Sequence, residues 1–138
     1  MRLPILPLWD ALAFEAEQTR RSAYPSVNRT LYDQCAMEGA LISIGIRAQA
    51  RLVGFWLAFL SPHPHHEGKL ACAADLVYIK PEHRGTWAIV RALRLLRDTA
   101  KAKGAHVLYA NSPIGRDMGP IYRRFGLAPI EVQHSVWL

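Results

Sequence analysis

Apolar residues gather into three runs between residues 40 and 79. ALISIGIRA (40–48), ARLVGFWLAFL (50–60) and KLACAADLVYI (69–79) are rich in Ile, Leu, Val, Phe and Ala, the composition of buried strands. Little more than Gln49 separates the first two, which predicts a tight hairpin, and the turn-rich SPHPHHEG leads into the third. Elsewhere the apolar spacing is helical. Leu8, Leu12, Phe14 and Ala16 fit one helix from Pro7 to about Arg21, with Pro7 at its start. Asn28 is placed to cap a second helix, Arg29 to about Met37, which Gly39 stops. Ala88, Val90, Leu93, Leu95, Leu96 and Ala100 predict the longest helix, from about Thr86 to Lys103, ended by Gly104.

Shorter pieces complete the chain. RLPIL (2–6) reads as an edge strand, where proline is tolerated, and AHVLYA (105–110) as a short buried one. GRDMGPIYRRFG (115–126) predicts a short helix closed by Gly126, and LAPIEVQHSVWL (127–138) a final strand. The order is β-α-α-β-β-β-α-β-α-β, without internal repeats, linkers or low-complexity tracts. That predicts a single domain over residues 1–138, of class α/β (α+β), with a mixed sheet flanked by helices.

Composition narrows the picture. A chain of 138 residues, 51% apolar and 20% charged, suits one globular domain with one core. Seventeen Lys and Arg against eleven Asp and Glu give +6 and an isoelectric point near 9.7, which favours an anionic partner. The basic residues are scattered and form no aromatic-interleaved stripe, so nucleic acid is compatible with the charge but not selected by it. Cys35 and Cys72 lie far apart with no CxxC spacing, which predicts reduced thiols in a cytoplasmic protein rather than a disulfide scaffold. MRLPILPLWDALAF carries two prolines in its first seven residues and is broken by Asp10, so it does not read as a signal peptide. The longest apolar run, LVGFWLAFL (52–60), falls short of the ~18 residues a membrane span needs.

The candidate chemistry sits where the third run hands over to the longest helix, LVYIKPEHRGTWAIV. A helix N-terminus exposes about four backbone N–H groups without helical acceptors and carries roughly half a positive charge. Gly85 lets a ligand approach the backbone, and Arg84 adds a guanidinium suited to phosphate. A pyrophosphate is the natural guest. Asp75 interrupts an otherwise apolar strand; if buried, its pKa would rise towards that of a general base, and otherwise it is a strand-edge carboxylate paired with an arginine. Glu82 reads as a turn residue and His83 as a surface one. His63, His65, His66 and Glu67 are potential metal ligands, but their spacing matches no established site and no metal is expected; a lip over a groove and a solvated loop are both open.

With LVYIKPEHRG before the longest helix and YRRFGL after a later short one, the chain resembles the GCN5-related N-acetyltransferase (GNAT) superfamily, in the manner of small bacterial or prophage-type members. The resemblance covers nearly the whole chain in element order and is specific at residues 77–85 and 122–127. Arg84 and Gly85 match the family's V-x-P-x-x-R-G pattern, whereas Trp87 and Ile89 stand at the small positions of its fingerprint Arg/Gln-x-x-Gly-x-Gly/Ala. The resemblance implies a mixed, mostly antiparallel sheet and acetyl-CoA as co-substrate. It implies that strand residues Val77 and Ile79 hold the pantetheine arm, that Arg84, Gly85, Thr86, Trp87 and Ala88 hold the pyrophosphate, and that Asn111 makes a polar contact to the arm. Because Trp87 replaces a small residue, its indole must swing outward or fill the site. Tyr122, matching the family's Tyr-x-x-x-Gly, would protonate the departing thiolate, or else be a core residue with Ile121 and Phe125. The implied activity is acetyl transfer to a primary amine by direct attack, on a small-molecule or protein acceptor. Action on nucleic acid or tRNA, and non-catalytic CoA binding, stay open, as do monomer and homodimer.

Overall fold

Gln49 and Ala50 both adopt left-handed backbone angles, φ 50° and 63°, and this two-residue turn folds β1 (Leu41–Ala48) back on β2 (Arg51–Pro62). Two consecutive positive φ values match the right-handed twist of paired strands, so the turn closes without splaying them. β2 continues into β3 (Leu70–Ile79), again antiparallel, and β4 (Val107–Tyr109) adds to β3 in parallel. The sheet is mixed and mostly antiparallel, with strand order β1-β2-β3-β4. The structure, a computed structural model, describes residues 28–85, 87–112 and 115–138. The expected strand at 2–6 and helix at 7–21 lie outside the described residues, as does Thr86.

Helices pack on both faces of the sheet. α1 (Arg29–Met37) begins where Asn28 was expected to cap it: the Leu31 N–H donates to Asn28 Oδ1 at 3.2 Å. Its Tyr32 stacks on Phe59, ring centroids 5.5 Å apart, and joins Phe55, Leu57 and Tyr78 in a core on that face. A parallel β3–β4 pair requires a crossover, and α2 (Ala88–Ala102) supplies it. Ala92, Leu93, Leu96 and Ala100 form its buried stripe against Ile42, Ile44, Trp56, Ala58 and Cys72. Leu93 and Leu96 are wholly buried, worth roughly 1.5–3 kcal/mol each. Leu95, placed among the apolar set in sequence, is 53% exposed, because at roughly 100° per residue it falls outside the arc from Ala92 to Leu93 that the stripe occupies.

Two expectations from sequence are corrected. The helix expected at 115–126 is shorter, α3 (Gly119–Arg124). Gly115 has φ 87°, which no right-handed helix accommodates, and the Gly119 N–H is held at 2.8 Å by Asp117 Oδ1 at the helix start. The final strand is not formed: residues 127–138 belong to no described sheet, and Ile130, Val132, Val136 and Trp137 are exposed. Apolar alternation makes a strand only where it is hydrogen-bonded to a neighbour, and the tail pairs with neither β1 nor β4 among the described residues. No helix among the described residues is long and apolar enough to cross a membrane.

Candidate active site

The site begins with a register change in β3. Leu57 pairs with Leu76 and its neighbour Ala58 with Ala74, so Asp75 is the extra residue of a β-bulge. The bulge exchanges the faces of the strand. Before it, Cys72 and Ala74 point to the α2 core; after it, Val77 and Ile79 do, while Leu76 and Tyr78 join the α1 core. Without the extra residue, strict alternation would send Val77 and Ile79 to the α1 face.

The bulge also marks where the sheet opens. Among the described residues β4 pairs with β3 at Ala71, Cys72 and Ala73 alone, whereas β2 follows β3 to Ile79. The Lys80 N–H donates to the Val53 carbonyl oxygen at 2.9 Å, so alternate residues Lys80, Tyr78 and Leu76 direct their backbone groups to β2. Val77 and Ile79 therefore direct theirs to the side from which β4 has departed. On that side the Ile79 carbonyl oxygen accepts a 2.6 Å hydrogen bond from Arg84 Nε, and the guanidinium lies 5.5 Å from the Tyr78 ring centroid.

Arg84 thereby ties the end of β3 to the next turn. Residues Pro81–His83 form a single 3₁₀ turn, with the His83 N–H donating to Lys80 and the Arg84 N–H to Pro81. Gly85 follows at φ 76°, a left-handed conformation that costs any other residue about 1–2 kcal/mol, with open space where a Cβ would stand. The Arg91 N–H donates to the Trp87 carbonyl oxygen at 3.0 Å in the first turn of α2, the end of the helix at which backbone N–H groups point outward. Trp87 does not fill this turn: its indole is 67% exposed and lies under the Arg124 guanidinium, 5.9 Å from ring to cation. The strand edge thus leads to Arg84 and Gly85, ahead of α2, with the Trp87 indole outside this path.

Asn111 and Tyr122 come together beside the bulge. Tyr122 is buried in the α2-side core, and its hydroxyl donates to the Asn111 carbonyl oxygen at 2.7 Å. Asn111 Nδ2 reaches the Ala74 carbonyl oxygen at 3.4 Å, linking α3 to the residue before the bulge. Burial pushes the Tyr122 pKa up to about 12. Asp75 departs from the expectation of a buried carboxylate: it is exposed, since a bulged residue stands out of the ladder, and no arginine pairs with it among the described residues. Its Oδ2 instead accepts a 2.6 Å hydrogen bond from Tyr32, a partner sequence reasoning missed because α1 and β3 are 43 residues apart. Burial, and then the Asp75 carboxylate, raise the Tyr32 pKa.

The histidine-rich loop lies at the far end of β3. His63 Nε2 is 2.7 Å from Tyr109 Oη, and no group of three or more His, Cys, Asp or Glu able to hold a metal is found among the described residues. Tyr109 carried no signal in sequence, being an ordinary apolar-strand tyrosine.

No family model matches the chain and no curated protein matches it. Solved structures do. A ribosomal-protein-alanine N-acetyltransferase from Brucella melitensis biovar Abortus 2308 is similar with TM-score 0.69 at 21% identity, over 98% of this chain and 91% of that one. A transcriptional regulator from Bacillus halodurans C-125 gives 0.78 at 15%, over 96% and 91%. A predicted acetyltransferase from Clostridium acetobutylicum, solved with acetyl-CoA, gives 0.71 at 12%, over 99% and 92%.

Proposed function

The GNAT fold that these likenesses establish is the premise, and we propose that the chain is an acetyl-CoA-dependent N-acetyltransferase acting on an amine. The observation that carries this reading is the edge of β3 that β4 leaves uncovered after the bulge, leading to the Arg84–Gly85 turn ahead of α2. Bound acetyl-CoA supplies an acetyl group already activated as a thioester. Val77 and Ile79 offer backbone groups at that edge to the amides of the pantetheine arm, as a sheet edge offers them to an added strand. The α2 amides and Arg84 face the pyrophosphate, with Gly85 leaving the backbone accessible.

Asp75 is the residue for the acceptor. An exposed carboxylate steadied by the Tyr32 hydroxyl attracts an ammonium group and orients the neutral amine that forms when its proton passes to solvent. That amine attacks the thioester carbonyl with no covalent enzyme intermediate, and Asp75 accepts one N–H proton, directly or through one water, as the attack makes the nitrogen acidic. Tyr122 faces the departing sulfur with a pKa near 12, against roughly 8.5 for an ordinary thiol. Full proton transfer from such a phenol is uphill, so Tyr122 acts by donating a hydrogen bond to the developing thiolate, exchanging Asn111 for it.

Isothermal titration with acetyl-CoA, paired with thiol-release assays across an amine panel, tests the reading; absence of heat at high micromolar concentration sinks it. A second reading, a CoA-binding protein without turnover, is favoured by the existing Tyr122–Asn111 bond, which already engages the phenol. Heat without thiol release would select it.

A further inference from the structure

At the end of β3 away from the Arg84 turn, loop 63–69 closes on itself. The His63 N–H donates to the Lys69 carbonyl oxygen at 2.8 Å and the Lys69 N–H to that of His66 at 3.1 Å. Two further backbone amides settle the state of two imidazoles. The His65 N–H donates to His63 Nδ1 at 3.1 Å, and the Leu70 N–H to His106 Nδ1 at 3.0 Å. A ring nitrogen that accepts carries no proton, so each neutral ring bears its hydrogen on Nε2. Loss of hydration, then the neighbouring His66 and His65, lower the His63 pKa, in keeping with a neutral ring. His63 Nε2–H is then the donor to Tyr109 Oη, and the Tyr109 proton is left to point elsewhere.

These groups wall an open concavity of about 380 Å³, bounded by His63, His66, Lys69, His106, Val107 and Tyr109. Its chemistry is one-sided. Lys69 brings an ammonium, His106 an Nε2–H and Tyr109 an O–H, and no carboxylate is among the walls formed by the described residues. A surface with an ammonium and several N–H and O–H donors is matched by a group that only accepts, such as a carboxylate or phosphate.

Its place in the fold says which molecule brings that anion. Val107 and Tyr109 pair with Ala71 and Ala73, and Leu108 between them packs on the α2 side, so the concavity opens on the α1 face. Asp75, held by Tyr32 of α1, is on that same face, two residues or about 7 Å along β3 from Ala73. We propose that this concavity is an acceptor subsite for a carboxylate or phosphate, so that the amine acetylated is one carrying an anionic group a short distance from its nitrogen. This inference rests on the acetyl-transfer reading for its second half only; the anion site itself does not.

Histidine Cε1–H resonances report the site directly. Titrating the full chain with inorganic phosphate, and separately with acetate, is expected to shift His63 and His106 saturably, and the tighter of the two names the preferred anion. Lys69→Ala and Tyr109→Phe, one exposed and one conservative, should each weaken that binding about tenfold, as loss of a charge-assisted donor does. Absence of a saturable shift, or saturation untouched by both variants, overturns the anion site. Thiol release from acetyl-CoA is then compared for ethanolamine and O-phosphoethanolamine, and for a primary amine against its matching amino acid. Preference for the anionic member, lost in Lys69→Ala, supports the acceptor assignment; preference for the uncharged member overturns it. Phosphate binding without any acetyl-CoA binding would leave the pocket standing and sink the acetyl-transfer reading instead.

Discussion

The Tyr122 hydroxyl donates to the main-chain oxygen of Asn111 across 2.7 Å, while the Asn111 side chain reaches Ala74 on the other side of the opening. One residue thus joins the helix bearing the phenol to the strand bearing the bulge. Tyr122→Phe removes the hydroxyl and keeps the ring. It should lower stability by ~1 kcal/mol and, on the proposed mechanism, lower kcat on the order of 10- to 100-fold with little change in acetyl-CoA affinity. Single-turnover thiol release separates the two effects, and an unchanged kcat would remove Tyr122 from the chemistry.

The same phenol makes stability sensitive to alkali. Its pKa stands near 12 folded against ~10 unfolded, so the unfolded chain releases this proton first as pH rises. The contribution is fully present below pH ~10 and is lost progressively towards 12. Tyr32, also raised by burial and by Asp75, acts with the same sign. Urea unfolding between pH 9 and 11.5 should therefore show a falling free energy, with a shallower fall in Tyr122→Phe and again in Tyr32→Phe.

Trp87 stands outside the path it was expected to threaten. Because the indole is exposed and stacked under Arg124, Trp87→Ala should leave acetyl-CoA affinity within about threefold and stability within ~0.5 kcal/mol. A tenfold change in Kd by titration calorimetry would mean that the indole touches the ligand.

The hairpin carries strain that one substitution relieves. Ala50 at φ 63° pays for a Cβ in the left-handed region, and Ala50→Gly should raise unfolding free energy by ~0.5–1 kcal/mol after the entropy of the added glycine. Gly54 is the opposite case: a Cβ there would lie 2.6 Å from the Tyr78 carbonyl oxygen, so Gly54→Ala should destabilise by ~1–3 kcal/mol. Thermal melts of the two variants should move in opposite directions.

What the chain disclosed in advance follows from how local each feature is. Asn28, the apolar runs and Gly39 and Gly104 mark their own elements, because caps and strand propensity are properties of adjacent residues. Arg84 and Gly85 were legible as a turn into a helix, but the Arg84–Ile79 bond that sets the turn on the strand end was not. Asp75 stood out as a charge among apolar residues, yet its exposure depends on a bulge, and a bulge exists only relative to the residues counted on β2. The tail at 127–138 shows the converse: an alternating pattern that pairs with no strand among the described residues. Tyr109 and His63, 46 residues apart, gave no local sign of meeting.

Asp75 and Tyr32 give the sharpest separation between chemistry and structure. Both ends of their 2.6 Å bond lie on the α1 face, and neither forms part of the β3 edge assigned to the pantetheine arm. Asp75→Asn keeps the shape and an acceptor oxygen for Tyr32 but cannot take a proton at neutral pH. It should cut kcat/KM for the amine about 100-fold or more while acetyl-CoA binds as before. Tyr32→Phe leaves the carboxylate in place and removes only its tether, so transfer should fall by no more than about tenfold, with the larger part in KM for the amine. If the two variants lose activity equally, the bond rather than the carboxylate is what matters, and Asp75 becomes a positioning residue with no part in proton transfer.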